Sequence, residues 1–289
     1  MILRSLLFVP GDSDRKLAKA QLSGADALVL DLEDAVAAER LPVARGMVRE
    51  YLKSRTDRSK QQLWVRVNPL QTPLALEDLA GVIAGAPDGI MLPKCDSAAQ
   101  TVTLSHYLSA LEAREGLPLG RTKILPVATE TPRAMFALDS YAGSSDRLIA
   151  LTWGAEDLSA ALGASSKYDA DGELSFTYKL ARTLCLAGAV AAGVQPVDGV
   201  FADFRDEKGL RAEAEAARRE GFTGKLAIHP AQVPIINLAF TPSADDVRHA
   251  EQIVAAFEAH PDAGVLSVDG KMVDRPHLVQ ARRVLERVR

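Results

Sequence analysis

The amino-acid sequence predicts an α/β protein, a (β/α)8 barrel with a C-terminal helical extension. Eight short apolar runs alternate along the chain with stretches of helical composition, and repeated strand–helix units form a parallel sheet or barrel. The runs are almost continuously apolar, which indicates strands that are covered on both faces. The chain has 289 residues, enough for one barrel of typically about 250 residues and an appendage.

The predicted strands are separated by turn-forming residues and by helical segments. Pro10-Gly11 closes the first run and His229-Pro230 closes the eighth. Helices are expected at Phe176–Ala192 and at Arg211–Arg219, the latter rich in strong helix formers. A doubly wound sheet also fits this alternation, but the count of eight favours a barrel. The predicted strands are Ser5–Val9, Ala27–Leu30, Leu63–Val67, Gly89–Leu92, Ile124–Ala128, Leu148–Leu151, Val197–Phe201 and Lys225–Ile228.

The pattern changes in the last fifty or so residues of the chain. Thr241-Pro242-Ser243 is a helix start signal, and the helix it predicts covers Asp245–Ala259. A last helix is expected from about Pro276. We therefore predict a barrel domain over residues 1–240 and a C-terminal helical extension over residues 241–289.

Composition and charge restrict the class of protein. The net charge is -4, so no general attraction to nucleic acid or to an anionic membrane is expected. The two cysteines, Cys95 and Cys185, lack metal-ligand spacing and are expected to be free thiols. The first apolar run is too short for a signal peptide or a membrane span, so a cytoplasmic protein is expected.

Polar residues that follow the predicted strands are the candidates for an active site, because barrel enzymes carry theirs at the carboxyl ends of the strands. Several carboxylates with an Arg and a Lys around one mouth suit a hard cation and an anionic ligand, and Mg²⁺ prefers one or two carboxylates. The sequence has no Cys/His cluster for zinc and no nucleophile elbow or phosphate loop. The candidates are Asp31, Glu33, Asp34, Arg66, Lys94, Glu130, Glu156, Asp157, Asp203 and His229.

Each candidate also has a purely structural interpretation. Any one of the carboxylates could be a helix N-cap or a surface group. Arg66 lies inside an apolar run, where an unpaired charge is costly, so it could pair with a carboxylate of the barrel. Lys94 could be a solvated lysine at a helix start. A structural role is favoured for His229, in the loop before Pro230, and packing is favoured for Trp153.

Eight motifs, spread from the first predicted strand to the last, carry a resemblance to a known family. They are Arg4–Gly11, Leu30–Val36, Val65–Asn68, Leu92–Lys94, Glu130–Pro132, Gly154–Leu158, Asp198–Val200 and Gly224–Gln232. Together they resemble the citrate lyase beta subunit and its stand-alone relatives, the malyl-, citramalyl- and citryl-coenzyme A lyases of the HpcH/HpaI aldolase/citrate lyase superfamily. The resemblance implies a barrel of the phosphoenolpyruvate/pyruvate type.

The resemblance implies a magnesium site. By position, Glu130 and Asp157 are implied to be the two direct ligands of Mg²⁺. Glu33 and Asp34 are implied to hold the waters around the ion.

The resemblance also implies the substrate contacts and the proton carrier. Arg66 is implied to clamp the carboxylate of the acid half of the substrate, Lys94 to meet the thioester or its pantetheine arm, and Glu130 to contact substrate as well. The segment Lys271–Pro276 resembles one that carries a catalytic Asp into the site of a neighbouring subunit. Asp274 is therefore the implied acid/base, and a homotrimer is implied.

The implied activity is a magnesium-dependent retro-Claisen cleavage of citramalyl-, malyl- or citryl-coenzyme A to acetyl-coenzyme A and a 2-oxo acid. One alternative is the beta subunit of a citrate lyase that uses an acyl carrier protein, although the segment with Asp274 favours a stand-alone enzyme. A malyl-coenzyme A thioesterase is another. The positions of Arg4 and Lys94 argue against an aldolase for free 2-oxo acids, and the metal ligands argue against a non-catalytic barrel.

Overall fold

Eight parallel strands form a barrel in the computed structural model, which describes residues 3–288. The hydrogen-bonded order is β5-β4-β3-β2-β1-β8-β7-β6, and two isolated bridges, Ile124 to Leu148 and Val127 to Thr152, close the barrel between β5 and β6. The prediction of a (β/α)8 barrel is confirmed. The strands are β1 (Ser5–Pro10), β2 (Ala27–Asp31), β3 (Gln62–Arg66), β4 (Gly89–Leu92), β5 (Lys123–Pro126), β6 (Ala150–Thr152), β7 (Gln195–Asp198) and β8 (Gly224–Ala227).

Helices follow the strands and cover the outside of the barrel. Both helices predicted within the barrel are present, although the second begins four residues earlier than expected. The helices are α1 (Asp14–Gln21), α2 (Leu41–Ser54), α3 (Leu74–Val82), α4 (Ala98–Arg114), α5 (Ala155–Leu162), α6 (Phe176–Ala191), α7 (Glu207–Glu220) and α8 (Gln232–Phe240). Short 3-10 turns lie at Ala38–Arg40, Ile83–Gly85, Ala134–Phe136 and Leu138–Tyr141.

The seventh strand begins and ends earlier than the sequence predicted. Its first residue, Gln195, is polar, but the side-chain amide exchanges two hydrogen bonds with the backbone of Leu3, at 2.7 and 3.1 Å. Gly199, predicted to lie inside the strand, lies beyond its end, and a Cβ at this position would be 3.1 Å from the Trp153 indole. The apolar pattern therefore misplaced the start of the strand, because the polar side chain there is satisfied by a contact that is distant in sequence.

The barrel interior is filled by side chains that alternate along the strands. This inner cluster includes Val29, Trp64, Met91 and Leu125, all fully buried. Trp64 packs over Gly89, its register partner on the adjacent strand β4, where a Cβ would lie 2.2 Å from the indole ring. A glycine at residue 89 is therefore required for this packing, since real Cβ contacts are never so short.

A buried ion pair fastens the amino-terminal end of the join between β5 and β6. Glu112 on α4 and Arg147 before β6 are both buried, and the two guanidinium Nη atoms donate to the carboxylate at 2.7 and 2.8 Å. The same carboxylate accepts the backbone N–H groups of Gly120 and Thr122. Every acceptor oxygen of Glu112 is thus used to connect α4 with the segments that enter β5 and β6.

The C-terminal extension contains a β-hairpin that was not predicted from the sequence. It consists of α9 (Ala244–Ala259), β9 (Val265–Val268), β10 (Lys271–Asp274) and α10 (Arg275–Glu286). The strands were missed because each is short and buries a single side chain, Val268 or Val273. The turn between them, Asp269-Gly270, has φ values of 50° and 74°, and Asp-Gly is a strong hairpin signal.

The extension has its own apolar cluster, separate from those of the barrel. Its buried members include Ile253 and Phe257 on α9 and Leu278 on α10. A polar contact to the barrel is made by Arg218 of α7, which pairs with Asp246 of α9 at 3.2 Å. The extension therefore packs mainly on itself.

The cysteines and the helices have two further properties. Cys95 and Cys185 are buried free thiols, as predicted. Over residues 3–288, no helix has the length and apolar character needed to cross a membrane.

Candidate active site

Most of the predicted site residues meet at the carboxyl ends of the strands. Asp31 and Arg66 end β2 and β3, Lys94 and Glu130 follow β4 and β5, and Asp157 lies in the first turn of α5. A cavity of about 130 Å³ opens at this end of the barrel, and Arg66, Glu130 and Asp157 are in its lining. Its lining combines polar and apolar side chains, namely Asp34, Arg66, Glu130, Asp157, Lys167, Phe8, Val127, Trp153, Val200 and Leu226 with the segments 154–156 and 199.

Arg66 is held by carboxylates of the barrel. Its Nε and Nη2 donate to Asp31 at 2.7 and 2.6 Å, and its Nη1 lies 3.0 Å from Glu33 and 3.5 Å from Asp34. The guanidinium also lies 4.7 Å from the ring centroid of Phe8. The structural interpretation of Arg66 is therefore correct, and only its contact with the exposed Asp34 is weak enough to be exchanged for a ligand.

Lys94 links the acidic side chains through both its side chain and its backbone. Its Nζ lies 2.6 Å from Glu33 and 3.1 Å from Asp157, and its backbone N–H donates to Glu130 at 2.6 Å. The backbone at Lys94 is left-handed, with φ of 49°, a conformation that costs energy for any residue with a Cβ. The interpretation of Lys94 as a solvated lysine is wrong.

Glu130 is the most deeply buried carboxylate of the cavity. Burial raises the pKa of Glu130 to about 8, and the nearby charges of Asp157 and Glu33 add to this shift against the opposing Lys94 amide. Gly154 makes room for the side chain, since a Cβ there would lie 2.8 Å from Glu130 Cγ. Negative charge at Glu130 is therefore under-compensated, which is the condition that a bound cation relieves.

Glu33 lies between the two cations. Burial raises the pKa of Glu33 to about 6, although the charges of Arg66 and Lys94 oppose the shift. This carboxyl group and Glu130 therefore share a site in which acidic groups outnumber the cations close enough to neutralise them.

The donor atoms of this site fit a hard divalent cation. Glu130 and Asp157 could hold it directly through oxygen, and Glu33 and Asp34 lie nearby. In residues 3–288 no group of three or more His, Cys, Asp or Glu side chains is arranged around a metal position. Two carboxylates with open positions for water and substrate are the ligand set that Mg²⁺ prefers.

Asp274 is not brought together with the other predicted site residues. It ends β10 and caps α10, and its carboxylate lies 2.5 Å from Nδ1 of His277. The hydrogen bond from His277 lowers the pKa of Asp274. Of the described residues, none from the extension lines the cavity, so Asp274 lies outside the cavity of its own chain.

Several other candidates lie outside the cavity. Asp203 accepts the backbone N–H of Arg205 in a turn, and His229 stacks on Phe204 with ring centroids 4.6 Å apart. The structural role favoured for His229 is consistent with this stack. Arg4 pairs with Asp26 at the opposite end of the barrel, so its position gives no argument about the substrate.

Lys167 and Trp153 line the cavity but were not among the predicted site residues. Lys167 lies in the loop after α5, and no rule about strand ends applies to that position. Trp153 was interpreted as a packing residue, and its indole N–H donates to the buried Asp198 at 2.7 Å while the ring lines the cavity. Its position directly after β6 was the available signal.

Comparison with known proteins identifies the family. A model of the HpcH/HpaI aldolase/citrate lyase family matches residues 4–230. The citrate lyase subunit beta of Leuconostoc mesenteroides subsp. cremoris is 33% identical, over 98% of this chain and 92% of that protein. A (3S)-malyl-CoA thioesterase of Cereibacter sphaeroides is 37% identical, over 98% of this chain and 93% of that protein.

A solved structure has the same fold over nearly the whole chain. It is protein CitE from Mycobacterium tuberculosis in complex with magnesium, acetoacetate and coenzyme A, with a TM-score of 0.79 and 34% identity, and the match covers 99% of this chain and 98% of that one. The chain therefore belongs to the HpcH/HpaI aldolase/citrate lyase family and is an enzyme of the lyase class.

Proposed function

We propose that this enzyme cleaves a 3-hydroxyacyl-coenzyme A thioester, with Mg²⁺ bound, to acetyl-coenzyme A and a 2-oxo acid by a retro-Claisen route. Citramalyl-, malyl- and citryl-coenzyme A are the candidate substrates. The observation that carries the proposal is the buried, under-compensated Glu130 beside Asp157 and Lys94 at the barrel mouth. Support also comes from the solved relative with magnesium, acetoacetate and coenzyme A.

In this proposal Glu130 and Asp157 are the direct ligands of Mg²⁺, and Glu33 and Asp34 orient the surrounding waters. The bound cation would supply polarisation of the hydroxyl and carboxylate oxygens of the substrate. Lys94 fixes this set of acids, because its side chain contacts Glu33 and Asp157 and its amide contacts Glu130.

Arg66 and Lys94 provide the positive charge around the acyl group. A substrate carboxylate would replace Asp34 at Arg66 Nη1, since that contact is the longest of the three and Asp34 is 59% exposed. In the proposal Lys94 stabilises negative charge on the thioester oxygen, and one well-placed donor of this kind is typically worth about 3 kcal/mol in the transition state.

Asp274 of a neighbouring subunit is the proposed acid/base. As the base, its carboxylate removes the hydroxyl proton of the substrate. The carbon–carbon bond then breaks, and the electron pair of that bond becomes part of the thioester enolate as the 2-oxo acid forms. Asp274 carries the proton to the enolate carbon, which yields acetyl-coenzyme A. We propose a homotrimer as the assembly that brings the extension to the next barrel.

Two other activities remain candidates because named relatives have them. Hydrolysis of malyl-coenzyme A is favoured by the relative named (3S)-malyl-CoA thioesterase. Action on an acyl carrier protein, as one subunit of a citrate lyase, is favoured by the relatives named citrate lyase subunit beta.

A substrate panel with Mg²⁺ separates these activities. The purified enzyme is given (S)-malyl-, (S)-citramalyl- and citryl-coenzyme A, and acetyl-coenzyme A and the 2-oxo acid are measured together, with Asp274→Ala as the control. We expect both products in equal amounts from one substrate, and their loss in the variant. Free coenzyme A without acetyl-coenzyme A would instead establish a thioesterase, and no product from any of the three would favour the carrier-protein subunit.

A further inference from the structure

Lys167 stands in the wall of the cavity, although it lies in the loop between α5 and α6. Its side chain is 15% exposed and its ammonium pairs with Glu156. It also lies 5.2 Å from the ring centroid of Tyr168. Burial opposes its charge, but the hydrogen bond to Glu156 raises the pKa of Lys167, so the side chain is cationic at neutral pH.

Backbone contacts within the loop fix the position of Lys167. Its carbonyl accepts the N–H of Ser175 at 2.9 Å, and Tyr168 forms a bridge with Leu174. The Asp169 carboxylate caps the turn at the tip of the loop by accepting two backbone N–H groups. The segment is therefore a short hairpin that fixes the start of the Lys167 side chain at the cavity.

Lys167 differs from Arg66, which is the other cation among the described residues that line the cavity. Arg66 is committed to the buried Asp31 and Glu33. The partner of Lys167 is Glu156, which is 64% exposed, and ion pairs with an exposed partner contribute roughly 0 to 1 kcal/mol. A ligand carboxylate can therefore replace Glu156 at little cost, whereas displacing Asp31 would leave a buried charge unpaired.

We infer that Lys167 recognises a second carboxylate of the 2-oxo acid, so that the cavity selects a dicarboxylic oxo acid over a monocarboxylic one. This inference rests on the proposed function, in which the first carboxylate is held at the metal and Arg66. Glu156 directly precedes the proposed ligand Asp157, so the Lys167 ammonium lies beside the first turn of α5. Among the other side chains that line the cavity, those of Phe8, Val127, Trp153 and Leu226 offer no partner for an anion except the Trp153 N–H, which Asp198 already occupies.

Binding of two acids that differ by one carboxylate tests the inference without turnover. Freshly dissolved oxaloacetate and pyruvate are titrated by calorimetry into the Mg²⁺-loaded enzyme and into Lys167→Met, Lys167→Arg and Glu156→Gln. We expect Lys167→Met to weaken oxaloacetate binding about 10- to 100-fold, the range for a charged hydrogen bond, and pyruvate binding less than about threefold. Lys167→Arg keeps the charge and should retain the preference for oxaloacetate. Glu156→Gln should strengthen oxaloacetate binding because it removes the competing carboxylate.

The outcomes distinguish this inference from the proposed function. Equal losses for both acids in Lys167→Met, or no loss for either, would overturn the role of Lys167 while leaving the proposed function intact. If the wild-type enzyme bound neither acid with Mg²⁺ present, the proposed function would fail and the inference with it. The same preference should appear in turnover, where Lys167→Met is expected to raise KM for citryl-coenzyme A more than KM for citramalyl-coenzyme A.

Discussion

Arg66 and Asp31 are paired residues in the register of β3 and β2, which explains their close contact at the residue scale. Neighbouring residues in register point to the same face of a sheet. The sequence predicted that polar residues would gather at the strand ends, because the carboxyl ends of parallel strands meet at one mouth. It did not predict which carboxylate would neutralise Arg66, because the register of a barrel depends on long-range packing.

The Glu130 side chain gives the most direct test of the proposed metal site. Glu130→Gln keeps the shape of the side chain but removes a ligand charge, so we expect Mg²⁺ affinity to fall by more than about 100-fold, and activity with it. Calorimetric titration of Mg²⁺ measures the affinity. Glu156→Gln is the matched control and should leave Mg²⁺ affinity unchanged, because Glu156 adjoins Asp157 in sequence but its side chain contacts Lys167. Unchanged Mg²⁺ binding in Glu130→Gln would contradict the assignment.

Lys167 shows the limit of prediction for single residues. The loop that carries it is fixed by the turn at Asp169 and by the bridge from Tyr168 to Leu174. Neither contact has a periodic signal in the sequence. A residue placed by a loop, and not by the end of a strand, therefore had to be found in the structure.

At the scale of the elements, the join between β5 and β6 is supported by a buried ion pair. It consists of isolated bridges, and the buried Glu112–Arg147 pair supports it at one end. Glu112→Ala leaves Arg147 buried without its partner, which should lower the free energy of unfolding by about 3 to 5 kcal/mol. Urea denaturation followed by circular dichroism measures this change. The control is Glu115→Ala, whose exposed pair with Arg114 should contribute less than about 1 kcal/mol.

A second buried network connects β7, β8 and α6. Asp198 accepts hydrogen bonds from Arg182 and Lys225 at 2.8 Å. Although burial opposes the charge, these cations lower the pKa of Asp198 to about 2, from a usual value of 3.8. Because the pKa is lower in the folded state, the stabilisation is complete above the unfolded value and is lost as the pH falls toward the folded one.

The Asp198 network therefore predicts a specific acid sensitivity. The free energy of unfolding should decline between about pH 4 and pH 2 as Asp198 takes up a proton. Asp198→Asn should be less stable at neutral pH by about 3 to 5 kcal/mol, and its difference from wild type should shrink across the same pH interval. Urea midpoints recorded along this interval measure the effect. A constant difference between the two proteins would exclude Asp198 as the titrating group.

The elements of the barrel were more predictable than those of the extension. Each barrel strand is buried on both faces, so a continuous apolar run marks it. The strands β9 and β10 are largely exposed, and their only strong signal is the Asp269-Gly270 turn. A strand can be predicted from its apolar pattern only when its side chains are buried, and most side chains of this hairpin are not.

At the scale of the whole molecule, the barrel and the extension have separate apolar clusters, and the proposed catalytic groups are divided between them. Mixing two inactive variants tests whether this division is bridged between subunits. Glu130→Gln and Asp274→Ala, refolded or co-expressed in equal amounts, should regain activity at about one quarter of the sites of a random oligomer. Each variant mixed with itself is the control. No recovery would show that Asp274 does not act across subunits.

The join between β5 and β6 also bears on the motion of the barrel. Glu130 follows β5 and Asp157 follows β6. Each of the two strands joined by isolated bridges is therefore followed by one of the proposed metal ligands. An ion held by both would act as a clasp on the barrel wall. Amide hydrogens that cross this join, those of Ile124, Ala128 and Ile149, should then exchange with solvent deuterium more slowly when Mg²⁺ is added. Binding of Mg²⁺ in the active site would therefore also stabilise the β5–β6 join of the barrel.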